Sequence, residues 1–447
     1  MEKLVDSIYN VVWSPALIVL LVGAGLYFTI RTRCVQVRRI GLMARLLFGS
    51  RKKSDVKGLS SFQAFCVALS GRVGTGNIVG VATAIAIGGP GAVFWMWVIA
   101  FLGASTAFME STLSQQYKFK HIHGWRGGPA NYIEGGLGQR WLGIVFAIFT
   151  IIGYGTLLVM VQSNSVASAF SNSFSIAPAV SGIAVVVLLA LVIIGGVKRI
   201  ADVASIVTPF MALAYIAMSL VIIIANYQAV PGVLLSIFKG AFGIGPAAGG
   251  MLGSAIAMGV KRGLFSNEAG QGGGAIVSGS ADVEHPAQQG LVQAFSVYVD
   301  TLLVCTATAL MILCTGTNGT DLGEDYVAYT QTAVDTVFHG FGGTFVSVAL
   351  AFFTFTTIMA YYFYSESSII YLCRSWNIMH TKKEKAIIWA YRLVLFTMTV
   401  LGACTSSKTV WTIGDIGLGL TTWINVIVLL ILCPQALRAL KEYESGV

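Results

Sequence analysis

Charged residues are scarce in this chain: Asp, Glu, Lys and Arg make up only 11% of its 447 residues, whereas 56% are hydrophobic. Soluble domains carry roughly 25% charged residues, so this sequence has too few charges to solvate a globule of its length. Stretches of about 20 apolar residues, the length that crosses a bilayer core of roughly 30 Å, recur instead. The composition therefore predicts an integral membrane protein.

Several other signals are also missing. The seven cysteines are odd in number, lie mostly inside apolar runs and form no CxxC pair, which indicates packing residues rather than disulfides or metal ligands. No P-loop, metal-binding motif or nucleophile constellation is visible, so we expect neither an enzyme nor ATP-driven transport, and no cofactor. We expect no cleavable signal peptide, because the basic cluster follows the first apolar run instead of preceding it.

Eleven apolar runs divide the chain. They cover residues 12–30, 62–87, 90–113, 141–170, 178–197, 203–226, 240–266, 287–316, 343–372, 386–404 and 410–433. Only helices or closed barrels satisfy their backbone in lipid, and runs of this length indicate helices. We therefore predict an all-α integral membrane protein with 11 transmembrane helices.

The connections between the runs alternate in charge. The first, third, fifth, seventh and ninth connections and the C-terminal tail hold 23 of the 28 basic residues. The opposite side holds only Lys3, Lys239 and Lys408, together with an acidic connection at 321–335. By the positive-inside rule, the N-terminus lies outside and the C-terminus in the cytoplasm. We expect a multi-pass protein of the cell inner (plasma) membrane.

Two of the runs are poor continuous helices. The second contains three glycines within Ser70–Asn77, and the seventh is glycine-rich from Gly243 to Gly270. Each glycine costs a helix about 1 kcal/mol relative to alanine, so such clusters favour unwinding. The alternative for the seventh run is close helix packing at Gly249 and Gly253.

The two glycine-broken runs occupy corresponding positions. Once the first run is set aside, the other ten divide into five plus five, and each half opens on a broken run of opposite orientation. This arrangement is typical of inverted-repeat transporters with a site at mid-membrane. We predict an N-terminal helix and basic cytoplasmic loop at 1–61, a first five-helix repeat at 62–226, and a second repeat with the cytoplasmic tail at 227–447.

Three stretches resemble the alanine or glycine:cation symporter family of the amino acid–polyamine–organocation superfamily. They are GGPGAVFWMW from Gly88 to Trp97, with Gly103 beyond it, VGTGN at Val73–Asn77, and RGLFSNEAG at Arg262–Gly270. The resemblance implies a LeuT-type 5+5 inverted repeat with a peripheral N-terminal helix. It also implies sodium- or proton-driven import of small neutral amino acids such as alanine and glycine. The stretch Gln271–Gly274 departs from the family by being richer in glycine.

The resemblance, with the polar residues of the runs, implies a set of substrate-binding residues: Thr75, Gly76, Asn77, Gln162, Phe265 and Asn267. In LeuT-like folds the amides of such a break hold the substrate carboxylate, which places it here at Thr75 and Gly76. Asn77 either ligates a cation or caps the second half-helix. Gln162 either contacts the amino acid or joins helices through polar contacts.

The cation site that the resemblance implies draws on two runs: Ser70, Val73, Thr354, Thr356 and Thr357. Sodium prefers hard oxygen ligands, which the carbonyls of Ser70 and Val73 and the threonine hydroxyls would supply. The alternative is that these threonines bond back to their own helix, as helical threonines often do.

Arg72 directly adjoins the first break, and an ionisable residue inside a span is a functional hypothesis. We expect it to have a carboxylate partner, either Glu268 or Asp300, in a pair that is static or opens during the transport cycle. Asp300 is also the candidate titrating group if transport is coupled to protons.

Four other ionisable residues are expected to be solvated on the cytoplasmic side: Glu110, Glu366, His121 and His123. The leading function is a sodium-coupled symporter for alanine and glycine that works by alternating access. A proton-coupled symporter is the near alternative. An ion channel or a membrane-embedded enzyme fits the sequence less well, since it has no repeated pore-lining motif and no catalytic grouping.

Overall fold

The computed structural model describes residues 2–49, 58–244, 248–320 and 322–446, which are mostly helical. The α-helices are α1 (Glu2–Val12), α2 (Pro15–Arg31), α3 (Val35–Arg38), α4 (Ile40–Gly49), α5 (Ser61–Arg72), α6 (Val81–Gly88), α7 (Gly91–Gln116), α8 (Pro129–Leu137), α9 (Arg140–Ile152), α10 (Leu158–Phe174), α11 (Pro178–Ile193), α12 (Gly196–Ala225), α13 (Val230–Ala241), α14 (Ala248–Asn267), α15 (Gly273–Ser278), α16 (Pro286–Val297), α17 (Thr306–Cys314), α18 (Tyr326–Asp335), α19 (Gly342–Ser375), α20 (Lys382–Cys404) and α21 (Ser407–Ser445). The π-helical segments are Gly76–Gly80, Gly153–Leu157 and Tyr298–Cys305. A short antiparallel hairpin, β1 (Phe119–His121) and β2 (Gly124–Arg126), lies between α7 and α8.

Eight helices in the described part of the chain are long and apolar enough to cross a membrane, and the bent pair α5–α6 makes a ninth if it forms one span. The eight are Val5–Arg31, Gly91–Gln116, Arg140–Phe174, Gly196–Ala225, Pro286–Cys314, Gly342–Ser375, Lys382–Cys404 and Ser407–Ser445. The predicted runs 178–197 and 240–266 coincide with α11 and α14. The all-α class is confirmed, while length and composition alone support eight or nine crossings rather than 11.

The outer helices turn apolar side chains away from the protein. On α12, Ile206, Phe210 and Leu213 are 73%, 68% and 67% exposed and lie on one helical face. In a membrane protein such a face contacts lipid, where apolar exposure carries no penalty. By contrast, α7 packs against α14 and α16 in the interior. The helices therefore form an inner group around α7 and an outer group that includes α12.

The first predicted break is present. Helix α5 ends at Arg72, and the axis bends by 50° before the helical stretch Gly76–Gly88. All residues from 64 to 85 are buried, so the unwound backbone at Val73 and Gly74, and the free amides that follow it, cannot rely on bulk water for their hydrogen bonds. Side chains from other helices must supply some of these partners.

The second break lies further along the chain than the predicted run, which ended at residue 266. Helix α14 continues to Asn267, and the chain then turns through Glu268, Gly270 and Gly272, which have φ angles of 53°, 85° and 95°. These left-handed values end the helix, and a second short helix, α15, begins at Gly273. Residues 259–281 are all buried, so this break also lies in the interior.

Two glycines inside α14 allow a close helix contact, at positions other than the expected Gly253. A Cβ at Gly259 would lie 2.5 Å from the carbonyl oxygen of Ala92, and one at Gly263 would lie 2.3 Å from Ile99 Cγ2. These glycines let α14 approach α7 closely. Gly253, one of the two predicted packing positions, faces open space, because no atom lies within 4 Å of a Cβ built there. The surroundings of Gly249, the other position, lie outside what the structure describes. Gly245, Pro246, Asp321 and the basic residues 51–57 lie outside the described residues.

The GGPG motif forms the turn between α6 and α7. Gly89 adopts a φ of 70°, which glycine permits, and Pro90 directly precedes the first residue of α7. A Cβ at Gly91 would lie 2.3 Å from the carbonyl carbon of Gly240, so only glycine allows α13 to approach here. The indole Nε1 of Trp95 donates to the carbonyl oxygen of Ala241 at 3.1 Å. The motif therefore fixes the end of the first broken helix against α13.

Candidate functional site

The two breaks lie next to each other. The guanidinium Nε of Arg72, at the end of α5, donates to the carbonyl oxygen of Asn267, at the end of α14, over 2.6 Å. A Cβ at Gly76 would lie 3.1 Å from both Phe265 Cδ1 and Ser266 Cα. Side chain and backbone therefore join the two breaks into one buried polar region.

Gln162 of α10 reaches into the first break. The backbone N–H of Thr75 donates to its side-chain oxygen over 3.1 Å. Gln162 is 1% exposed, so this bond stabilises an amide that would otherwise be unsatisfied in the interior. Gly74 makes room for it, because a Cβ there would lie 3.0 Å from the same oxygen. The structure thus brings Gln162 and Thr75 together, as predicted for two residues of one site.

Asn77 connects the first break to the π-helical segment Tyr298–Cys305. Its side-chain oxygen accepts from the N–H of Gly74 over 2.8 Å, and its side-chain nitrogen donates to Asp300 Oδ1 over 2.6 Å. The other carboxylate oxygen of Asp300 accepts from Ser266 Oγ at 2.9 Å and from Thr301 Oγ1 at 2.8 Å. Asp300 is fully buried among these neutral donors.

Three of the five predicted cation ligands converge at one point. The hydroxyl of Thr357, on α19, donates to the carbonyl oxygen of Ser70 over 2.8 Å and to that of Val73 over 3.3 Å. These three oxygens come from the last turn of α5, the first residue of the break and the middle of α19. Hard oxygen atoms grouped in this way are suited to an alkali cation.

The other two threonines of α19 differ in their surroundings. Thr354 lies one turn before Thr357 on the same face, and its hydroxyl donates to the carbonyl oxygen of Gln162 over 3.3 Å. Thr356 is rotated by about 100° from Thr357, the turn that one helical residue makes. Its hydroxyl donates to Phe352 O and Phe353 O, each at 3.0 Å. The structure therefore does not bring Thr356 to Ser70 and Val73, and it bonds to its own helix instead.

The predicted carboxylate partner of Arg72 is not found. Besides the Asn267 carbonyl, its Nη1 donates to Gln293 Oε1 at 3.1 Å and to Ser296 Oγ of α16. Among the described residues no carboxylate forms an ion pair with it, and its Nη2 has no hydrogen-bond partner. The guanidinium is instead held by neutral oxygens, which hydrogen-bond a cation without neutralising its charge.

Glu268 and Asp300 each have partners other than Arg72. Oε2 of Glu268 accepts from the hydroxyl of Tyr364 on α19 at 3.3 Å. Within the described residues its Oε1 has no partner. Asn267 lies at the end of α14, where its side-chain oxygen accepts from Ala269 N over 3.0 Å. Its side-chain nitrogen is buried and has no partner among the described residues.

Phe265 lies between the first break and an aromatic stack. Its ring packs on Trp411 of α21 with centroids 4.9 Å apart. The guanidinium of Arg262 lies 4.8 Å from the Trp411 ring centroid and donates from Nη2 to Asp415 Oδ2 over 2.7 Å. Trp411 also lines a cavity of about 640 Å³ together with Val79. Because Val79 belongs to the π-helical segment Gly76–Gly80, this cavity reaches the segment that follows the first break.

Sequence reasoning missed one part of the site. Glu110, expected to be solvated, is fully buried on α7. Its Oε2 accepts from the N–H of Gly272 at 3.2 Å and from Asn425 Nδ2 at 3.0 Å. Asn425 also donates to the carbonyl oxygen of Gly270 over 2.9 Å. The pair thus satisfies the backbone of the second break, and the only sequence signal was two polar residues within apolar runs.

Known proteins are similar in sequence to this chain over most of its length. A model of the sodium:alanine symporter family matches residues 1–447. The chain belongs to this family. "Putative sodium/proton-dependent alanine carrier protein YrbD" of Bacillus subtilis (strain 168) is 49% identical over 456 residues, 99% of this chain and 93% of that protein. "Sodium/proton-dependent alanine carrier protein" of Bacillus sp. (strain PS3) is 47% identical over 406 residues, 88% of this chain and 90% of its own. "Probable sodium/glutamine symporter GlnT" of Bacillus subtilis (strain 168) is 40% identical over 443 residues, 99% of this chain and 91% of its own.

Membership in the sodium:alanine symporter family gives the class of function. The chain is a multi-pass membrane transporter that carries out amino acid:cation symport, and it is not an enzyme. Its site accordingly has to bind an amino acid and a cation, which requires amides, hydrogen-bonding side chains and hard oxygen ligands. The two adjoining breaks supply all three.

Proposed function

We propose that this chain imports small neutral amino acids, alanine and glycine, together with sodium by alternating access. The observation that carries the proposal is the convergence of Thr357 Oγ1 with the carbonyl oxygens of Ser70 and Val73, beside the amide of Thr75. Cation ligands and a carboxylate-binding amide thus belong to the same unwound turn. Occupation of one site would therefore change the geometry, and hence the affinity, of the other.

The substrate carboxylate would bind the amides of Thr75 and Gly76. In this structure the side-chain oxygen of Gln162 accepts from Thr75 N over 3.1 Å, the kind of contact that a carboxylate oxygen makes. We infer that the substrate displaces this oxygen, and that Gln162 then turns its amide toward the substrate. An uncharged amide can do so without carrying a charge through the membrane.

The coupling ion would bind Ser70 O, Val73 O and Thr357 Oγ1, with Thr354 as a further candidate. Thr356 is left out, because its hydroxyl bonds to the carbonyls of Phe352 and Phe353. Asn77 would hold the break open through its bonds to Gly74 N and Asp300 rather than bind the ion directly.

The preference for small substrates would follow from Phe265. Its ring lies 3.1 Å from the place that a Cβ on Gly76 would take, and Trp411 packs against the ring, so little space remains beside the break for a substrate side chain. Relatives at 40–49% identity are named for alanine or for glutamine, whose side chain is longer than that of alanine and ends in a polar carboxamide. We propose that this chain transports the shorter substrate.

The membrane arrangement that fits this function has 11 transmembrane helices in a LeuT-type 5+5 repeat, with a peripheral first helix. The repeats at 62–226 and 227–447 would each open on a broken helix, α5–α6 and α14–α15. The side that is rich in basic residues would face the cytoplasm. The protein would lie in the plasma membrane with its N-terminus outside.

Uptake into proteoliposomes tests the proposal. An inward sodium gradient should accelerate uptake of labelled alanine, and unlabelled glycine should compete, whereas glutamine should compete poorly. Potassium in place of sodium is the control. Uptake that does not depend on the gradient, or that is absent for both alanine and glycine, would reject the proposal.

Proton coupling is the second candidate, and Asp300 supports it. This carboxylate is fully buried, accepts only from neutral donors and is bonded to Asn77 of the first break. A proton gradient without sodium should then drive uptake, and Asp300→Asn should abolish that uptake. Full sodium-driven transport by Asp300→Asn would exclude the role.

A further inference from the structure

A cluster of imidazole and carboxylate groups lies away from the transport site, where the β1–β2 hairpin meets the start of α20. His121, at the end of β1, has a fully buried side chain, although we expected it to be solvated. Its Nε2 lies 3.2 Å from Oε1 of Glu384, in the first turn of α20. The pair therefore joins the connection that follows α7 to the beginning of α20.

His380 completes the cluster. It precedes α20, has a φ of 66°, and its backbone N–H donates to Oε2 of Glu384 over 2.5 Å. Its ring stacks on that of His121 with centroids 4.9 Å apart and planes at 25°. One potential ligand atom from each of the three residues lies within 4.8 Å of the others.

We propose that His121, His380 and Glu384 bind a divalent transition-metal cation of the zinc class, with a fourth position left to water. Two imidazoles and one carboxylate are donors that zinc favours. With bonds of roughly 2.0–2.1 Å, neighbouring ligands of a tetrahedral zinc lie about 3.3 Å apart. The His121–Glu384 distance of 3.2 Å already meets this requirement. His380 is exposed, so its ring can turn to supply the third ligand.

A metal bound to His121 replaces contacts that the ring already makes, and it requires a neutral imidazole. When Nε2 binds the metal, the ring proton moves to Nδ1. The ring then loses the weak 3.4 Å contact from His123 N and the hydrogen bond between Nε2 and Glu384, whose carboxylate binds the ion instead.

The surrounding charges permit a cation. Arg126 would repel it, but Nη2 of Arg126 lies 4.0 Å from Oε2 of Glu366, which offsets this charge. Arg392 is directed elsewhere, since its Nε donates to the hydroxyl of Tyr362 over 2.9 Å. The three ligands line one cavity of about 870 Å³, which is large enough for a hydrated ion to enter.

A bound ion would restrain two parts of the transporter. The hairpin follows α7, which packs against α14 and α16, while α20 packs against α10 and α11. Joining the hairpin to α20 therefore links the inner group of helices to the outer helices. We expect metal to slow transport without changing the affinity for the amino acid.

Calorimetry on the full-length, tag-free protein, stripped with chelator, tests the site with zinc. The background carries Cys34→Ser and Cys404→Ser, because these two cysteines are exposed and could bind zinc. We expect one zinc per chain, and His380→Asn or Glu384→Gln should weaken binding at least ~10-fold. Asparagine tolerates the left-handed backbone of position 380, so this variant should fold.

His339→Asn is the matched control, since His339 is an exposed histidine outside the cluster, and it should leave zinc affinity unchanged. Cobalt in place of zinc should give the visible absorption of a four-coordinate site, and this band should be lost in His380→Asn. Absence of zinc binding in the background protein would overturn the proposal. So would equal affinities in His380→Asn and His339→Asn.

Discussion

The hydroxyl of Thr357 bridges the carbonyl oxygens of Ser70 and Val73 at 2.8 and 3.3 Å, so a single side chain of α19 spans the end of α5 and the break that follows it. The contact joins a continuous helix to an interrupted one. Because the acceptors are backbone atoms, this geometry depends on the unwinding at Val73 and not on the identity of its side chain.

Removal of this hydroxyl should weaken sodium activation. We expect Thr357→Val to raise the sodium concentration for half-maximal alanine uptake about tenfold, equivalent to roughly 1.4 kcal/mol, because one hard ligand is lost. Thr357→Ser, which keeps the hydroxyl, should retain most activation. Thr356→Val is the matched control, as its hydroxyl contacts only its own helix and a methionine sulfur. Equal effects at 356 and 357 would contradict the proposed cation site.

Gln162 should affect substrate binding more strongly than folding. Gln162→Ala removes the amide that we propose turns toward the substrate, so the KM for alanine should rise severalfold. Gln162→Glu should raise the KM for alanine further, because the glutamate carboxylate would compete with the substrate carboxylate for the Thr75 amide. Kinetics and thermal unfolding measured on both variants separate the roles. If Gln162 only joins helices, stability should fall while KM stays constant.

Shortening Phe265 should broaden the substrate range. Phe265→Ala should increase the ratio of glutamine to alanine transport by about 10-fold or more, since each methylene accommodated in such a pocket changes discrimination by roughly 1–3 kcal/mol. Competition uptake with both amino acids measures this ratio. Phe352→Ala, at a position on α19 that is 44% exposed, is the control. If Phe265→Ala leaves the ratio of glutamine to alanine transport unchanged, Phe265 does not limit the size of the substrate.

Substitutions at Glu268 and Arg72, the two ionisable residues beside the breaks, should differ in their effect on thermal stability. Glu268→Gln should change thermal stability little, because Tyr364 can still donate to an amide oxygen. Arg72→Lys should lower thermal stability more than Glu268→Gln does. The single ammonium group of lysine cannot reproduce the bonds that the guanidinium makes to Asn267 O, Gln293 and Ser296. Removing one partner of a buried ion pair costs about 3–5 kcal/mol. A loss of that size in Glu268→Gln would mean that it pairs with Arg72 after all.

The sequence located the first break well, because glycine clustering and an adjoining asparagine have a direct backbone meaning. It also predicted that Thr357 approaches Ser70 and Val73, although this came from the family resemblance. The sequence could not tell which of the neighbouring threonines, Thr356 or Thr357, approaches Ser70 and Val73. Only the rotation of the helix from one residue to the next decides which of them faces α5.

The partner of Arg72 could not be read from the sequence for a different reason. A search for opposite charge finds Glu268 and Asp300, but the acceptor is the main-chain oxygen of Asn267, which every residue possesses. Glu110 was misjudged in a similar way. Its position near a helix end suggested solvent, whereas its real partner, Asn425, is distant in sequence and becomes a neighbour only through packing.

The bond from Arg72 to the carbonyl of Asn267 has a consequence for variation in this family. Its acceptor survives any substitution at position 267, so mutational scanning should find position 72 intolerant while position 267 stays permissive for this contact. Covariation between the two positions should be weak, although their atoms are 2.6 Å apart. A physical link between the two breaks can therefore be invisible to methods that infer contacts from correlated substitutions.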